Sequence, residues 1–127
     1  MNKREGVCVA LGGIVGAGSR YYISTIVTVP LLGTFIVNIL GCILIGCIFA
    51  FTTVKKDYRW VWPFLATGFC GGFTTMSTLS MELVSLLNEG NTILALVYIL
   101  STLLLGISGV LIGYSVTLKA MHIKEVG

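Results

Sequence analysis

Charge is scarce in this chain. Of its 127 residues, 10% are charged and 56% are hydrophobic, with a mean hydropathy of +0.99. A soluble domain carries about 25% charged residues, so this composition marks an integral membrane protein with little left for any soluble domain. Histidine is scarcer still: His122 stands alone, in the polar tail. No His–Cys or Ser–His–Asp arrangement of the usual kind can be built from it. Acid is nearly absent from the apolar stretches, where Glu82 is the one carboxylate, and paired-carboxylate chemistry is excluded with it. Cys8, Cys42, Cys47 and Cys70 fall in apolar stretches and form no C-x-x-C pair. They read as small buried hydrophobes rather than a disulfide framework or a zinc site. Nothing suggests an enzyme, and nothing suggests a nucleic-acid partner.

What is present is four long apolar runs. They predict an all-α integral membrane protein, a single four-helix membrane domain over residues 1–127 with spans at about 6–29, 31–54, 61–87 and 92–118. In the first, Gly12, Gly16 and Arg20 share one helix face, and the glycines permit close approach of another helix. Arg20 is either an interface anchor beside Tyr21 and Tyr22 or a buried partner to helix carbonyls. A tight Val29-Pro30 turn leads to the second span. Its only amide side chain, Asn38, either bonds across helices or lines a pore. Lys55–Arg59 is a polar loop, and Trp60 and Trp62 follow as interface anchors.

The third span is a poor lipid-facing helix. Gly71-Gly72 loosens the backbone, and Thr74, Thr75, Ser77, Thr78 and Ser80 follow closely. An unpaired backbone group in hydrocarbon costs several kcal/mol, so such a segment survives only against protein or around a polar cavity. The pattern predicts a helix broken near Gly71–Thr75, of the kind that builds ion sites in channels and transporters. The alternative is a hydroxyl-rich packing face, bonded to its own i−4 carbonyls. Tyr98, Thr102, Gly106, Gly109 and Gly113 form a stripe on the fourth span, readable as a packing seam or as part of a pathway. The tail Lys119–Gly127 reads as short and solvated. Four spans put Lys3, Arg4, Lys55, Lys56, Arg59, Lys119 and Lys124 on one side, seven of the eight basic residues. The positive-inside rule then gives cytoplasmic N- and C-termini.

Three ordered motifs resemble the Fluc (CrcB-type) fluoride channel family. Gly12-Gly-Ile-Val-Gly-Ala-Gly-Ser-Arg20-Tyr21 is similar to its first-helix G-G-x-x-G-A-x-x-R-Y. Gly33-Thr-Phe-Ile-Val-Asn38-Ile-Leu-Gly41 is similar to G-T-x-x-V-N-x-x-G in its second. Gly68-Phe-Cys-Gly-Gly-Phe-Thr-Thr-Met-Ser-Thr-Leu-Ser-Met-Glu82 is similar to G-F-x-G-G-x-T-T-F-S-T-F-S-x-E in its third. The resemblance implies a multi-pass protein of a prokaryotic cell membrane, an antiparallel dimer with pores along the subunit interface, passively exporting fluoride from the cytoplasm. It implies a structural sodium ion at the dimer centre, held by the backbone carbonyls of Gly71 and Thr74. Asn38, Met76, Ser77, Thr78, Leu79 and Tyr98 would line the pore, with Arg20 and Glu82 in structural or vestibule roles.

Met76 and Leu79 stand where the family pattern has two phenylalanines. An aromatic edge can face an anion, and neither thioether nor isobutyl offers a comparable contact. The one-sided basic residues also fit poorly with a chain that inserts both ways. Both departures predict one half of a heterodimer, completed by a homologous subunit of opposite orientation in the same lipid membrane. The other readings are a non-conducting assembly subunit and a small multidrug-resistance transporter. The last needs an acid in the first span, where this chain has Arg20 and no carboxylate beyond Glu5.

Overall fold

The computed structural model describes residues 2–55 and 60–126, without the side chains of 123–126. Lys56–Arg59, most of the polar loop read from the sequence, lie outside the described residues. Every regular element described is helical. α1 is Lys3–Ile26 and α2 is Leu32–Val54. A π-helix, Trp62–Cys70, runs directly into a single α-turn, α3, Gly71–Phe73. α4 is Met76–Asn88 and α5 is Thr92–Val126.

Three helical stretches, Lys3–Ile26, Leu32–Val54 and Thr92–His122, are long and apolar enough to cross a membrane. The remaining passage is a composite of the π-helix, α3 and α4. It breaks where the glycines and hydroxyls predicted, at Thr74 and Thr75, both of which take extended backbone conformations. Thr75 is the N-cap of α4, its hydroxyl accepting from the Thr78 N–H, which is the preferred chemistry for that position.

The element ends differ from the expected ones at three places. α1 stops at Ile26, and five residues rather than a bare Val29-Pro30 turn precede α2. Leu31 there takes a left-handed φ of 67°, a conformation non-glycine residues seldom adopt. The tail read as a solvated segment continues α5 as helix through Val126. At 1.5 Å per residue α5 is about 52 Å long, more than the roughly 30 Å hydrocarbon core of a bilayer requires.

Close backbone packing assembles these pieces. α1 lies on the π-helix through buried Gly12 and Gly16, where a Cβ would collide with the carbonyl oxygens of Phe64 and Phe69. Gly68 and Gly72 reciprocate against Val9 and Gly13. α2 lies on α5 in the same manner: Gly46 meets the Val110 carbonyl, and Gly113 meets that of Ile43. The Tyr98–Gly113 stripe is therefore a packing seam along much of its length. Two apolar clusters flank the break. One gathers Ile48, Val61, Ala66 and Cys70, and the other Leu79, Leu86, Ala95 and Tyr98.

Candidate functional site

An unbroken helix would close the Thr75 N–H onto the Gly71 carbonyl and the Thr78 N–H onto the Thr74 carbonyl. Neither bond forms. The Thr75 N–H donates to Asn38 Oδ1 at 2.8 Å, and the Thr78 N–H donates to Thr75 Oγ1 at 3.2 Å. Asn38 Nδ2 in turn donates to the Thr75 carbonyl at 3.0 Å. One amide side chain thus grips both backbone groups of Thr75, and both residues are buried. Of the first amides of α4, those of Met76 and Ser77 have neither an intrahelical partner nor a cap. They sit at the positive end of the α4 dipole.

The hydroxyls around the break divide into two groups. Thr74 and Ser80 return theirs to the carbonyls four residues back, as the packing-face reading expected. Thr75, Ser77 and Thr78 instead bond to one another, with Thr75 Oγ1 3.1 Å from both Ser77 Oγ and Thr78 Oγ1. Ser77 and Thr78 are exposed on the single chain, and so is Met76, at 68%. Leu79, one turn on, is buried.

Two cavities border the break. The first, about 370 Å³, is lined by residues that include Asn38, Cys42, Thr74, Thr75, Met76 and Thr102. The second, about 340 Å³, has Thr74 again, with Gly71, Gly41, Cys42 and Cys70. Gly71 and Thr74, whose carbonyls lack their helical partners, thus line one cavity. Arg20, on the Gly12–Gly16 face of α1, donates to the Thr74 carbonyl at 3.4 Å. Arg20 is partly buried and its partner carbonyl lies in the extended break, which puts it between the two sequence readings of an interface anchor and a buried partner to helix carbonyls. Among the described residues no three His, Cys, Asp or Glu side chains converge as a metal site. Backbone oxygen is the donor this region offers.

Glu82 and Tyr98 lie a little further along. The Glu82 carboxylate accepts from Thr34 Oγ1 at 2.8 Å and from the Tyr98 hydroxyl at 2.7 Å. The same hydroxyl lies 3.2 Å from the Leu31 carbonyl. Thr34 is a buried residue that sequence reasoning left without a role. Thr75 was named among the hydroxyls but not as a site residue. A hydroxyl immediately before an amphipathic run is a helix N-cap signal, and it could have singled out Thr75.

Residues 7–114 match the family described as CrcB-like protein, Camphor Resistance (CrcB). The chain belongs to the CrcB-like family. Relatives include a "Fluoride-specific ion channel FluC" of Pyrococcus abyssi, 38% identical over 119 residues, which covers 90% of this chain and 96% of the relative. Its counterpart in Pyrococcus horikoshii is 41% identical over 119 residues, with the same coverage of 90% and 96%. That of Ruminiclostridium cellulolyticum is 40% identical over 114 residues, 84% of this chain and 87% of the relative. The aligned CrcB-like region takes in the break and every site residue named above, from Arg20 to Tyr98.

Proposed function

We propose that this chain is a subunit of a fluoride-selective passive channel that lets fluoride leave the cytoplasm. The observation that carries the reading is the break at Thr74–Thr75, in a chain whose relatives are named as fluoride-specific ion channels. Fluoride holds its water tightly, so a selective path must replace that shell with inward N–H and O–H donors. The open amides of Met76 and Ser77 and the hydroxyls of Ser77 and Thr78 are such donors, beside a cavity reached by Asn38. Their exposure on the single chain supports a pathway completed by a second subunit rather than one enclosed by this chain. Tyr98, with its hydroxyl on Glu82, serves the pathway by holding that carboxylate.

The assembly proposed is antiparallel, with cytoplasmic termini for this chain and a homologous partner of opposite orientation. Basic residues gathered on one side support a single orientation. Met76 and Leu79, in place of the phenylalanines of the family pattern, support a partner that supplies the aromatic contacts. A structural sodium ion fits the donors at the break. Carbonyls of Gly71 and Thr74 that have lost their N–H partners are hard oxygen ligands, and two from each subunit suit a hard cation. Each carbonyl has two lone pairs, so the Arg20 contact leaves Thr74 able to ligate. The ion would join the subunits without taking part in conduction.

A second reading, a non-conducting assembly subunit, is favoured by Leu79, which packs against Leu86, Ala95 and Tyr98. Fluoride efflux from liposomes tests the two readings, comparing this chain alone with the chain co-purified with a homologue. Flux only from the pair, abolished by Ser77→Ala in this chain, is the expected result. Flux from the pair that ignores substitutions at Ser77 and Thr78 would leave this chain as an assembly subunit.

A further inference from the structure

Sequence reasoning set Asn38 between pore lining and interhelical glue. We infer that Asn38 is a positioning residue for the cation-binding carbonyls, and that Thr75 shares the task. The inference rests on the sodium reading above and adds the device that keeps its ligands available.

A backbone carbonyl in a helix is a poor metal ligand, because the N–H four residues on already occupies it. Loosening the helix is not enough at membrane depth, since an unpaired amide and an unpaired carbonyl one turn apart will re-form their bond. Each carbonyl can be kept open by giving its amide another acceptor. At this break, the amides that match Gly71 and Thr74 are the two so diverted, that of Thr75 to Asn38 Oδ1 and that of Thr78 to Thr75 Oγ1. The amides that match Gly72 and Phe73, those of Met76 and Ser77, receive no such acceptor. The side chains thus satisfy the amides whose carbonyls would face the cation and leave open the amides available to an anion.

Asn38 suits this role by its chemistry. It can give one acceptor and one donor to a single residue, so it fixes Thr75 in orientation as well as in place. It comes from α2, outside the broken passage, so the break cannot relax without moving a second helix. Its second amide hydrogen stays available to the cavity it lines with Met76. Thr75 depends on the grip in turn, because its hydroxyl reaches the Thr78 amide only while its own backbone stays extended.

Sodium-dependent unfolding tests the assignment without reference to flux. The full chain, with its homologue if the two purify together, is heated in detergent while tryptophan fluorescence is followed. Sodium is titrated against N-methylglucamine at constant ionic strength. A ligand bound only by the folded state raises the midpoint in a saturable way. Wild type is expected to show this rise. Asn38→Ala and Thr75→Val should shift the half-saturating sodium concentration upward about tenfold or more, the equivalent of one backbone hydrogen bond now competing for a ligand. Thr75→Ser keeps the cap and should stay near wild type. If Asn38→Ala does not fold, the Thr75→Val and Thr75→Ser pair decides. Wild-type half-saturation in the folded Asn38→Ala and Thr75→Val proteins overturns the positioning role and leaves the sodium site standing. A wild type indifferent to sodium removes the site and the inference together.

Discussion

Glu82 shows how one residue is made tolerable inside a membrane. A carboxylate there is costly, and it persists where donors converge on it. Thr34 and Tyr98 supply one donor to each oxygen, from two different helices. Tyr98→Phe keeps the ring beside Phe35 but strips one oxygen of its donor. It should lower unfolding stability by about 1.5–3 kcal/mol, the range for a hydrogen bond to a charged group. Denaturant titration of the purified protein measures it. Glu82 itself was visible in the sequence as the lone acid of the apolar runs, yet its partners were not. Thr34 lies 48 positions away and Tyr98 lies 16 away, and no local pattern links such separations. Asn38 was visible for the same reason, as the one amide in its run. That both ends of its side chain are spent on Thr75 depends on how α2 crosses the break, which only the packed structure fixes.

Among the elements, α1 and the π-helix depend on glycines that do different work. Gly12 and Gly16 are pressed against backbone carbonyls, while a Cβ on Gly18 would meet nothing within 4 Å. Gly12→Ala should therefore force the helices apart, at about 1–3 kcal/mol or more for overpacking. Gly18→Ala should be neutral or stabilising by up to about 1 kcal/mol, from helix propensity. Thermal unfolding of the two variants side by side checks the contrast. The shared face of Gly12, Gly16 and Arg20 was legible in their spacing, and the break was legible in Gly71-Gly72 and the hydroxyls. The π-helix was not. Over nine residues its wider turn differs too little from an α-turn in apolar periodicity to be told apart, and Pro63 near its start is acceptable to either. The helical end of α5 was also missed, because charged residues in a tail mark exposure without deciding conformation.

For the whole molecule, the controlling feature is the asymmetry of charge. Lys3 and Arg4 lie at the start of α1, Lys55 at the end of α2 and Lys119 late in α5, which the four-span reading puts on one side. A reporter fused after the last residue should be active only in its cytosolic form. Introducing Lys pairs at Thr28 and Asn91, in the opposite turns, should produce a mixed population. A wild-type fusion already split between both orientations would remove the case for an obligate partner of opposite sense. Exposed apolar side chains such as Ile93, Leu104 and Ile107 cover much of the outer surface. That suits contact with lipid, and the basic residues remain the feature expected to set orientation.

The break also has a genetic consequence. On the function proposed above, the donors for both signs of charge would come from one kink in the main chain, while the quality of the pathway would rest on side chains such as those at 76 and 79. Met76 is exposed and can change without disturbing the kink, whereas Leu79 is held by its packing on Leu86, Ala95 and Tyr98, so a duplicated gene would drift first at residue 76 and keep its place in the pair. Asn38 has no such latitude. Its loss would free the Thr75 backbone to close the helix and weaken pathway and joint together, so residue 38 is expected to vary less than residue 76 among chains that keep the kink.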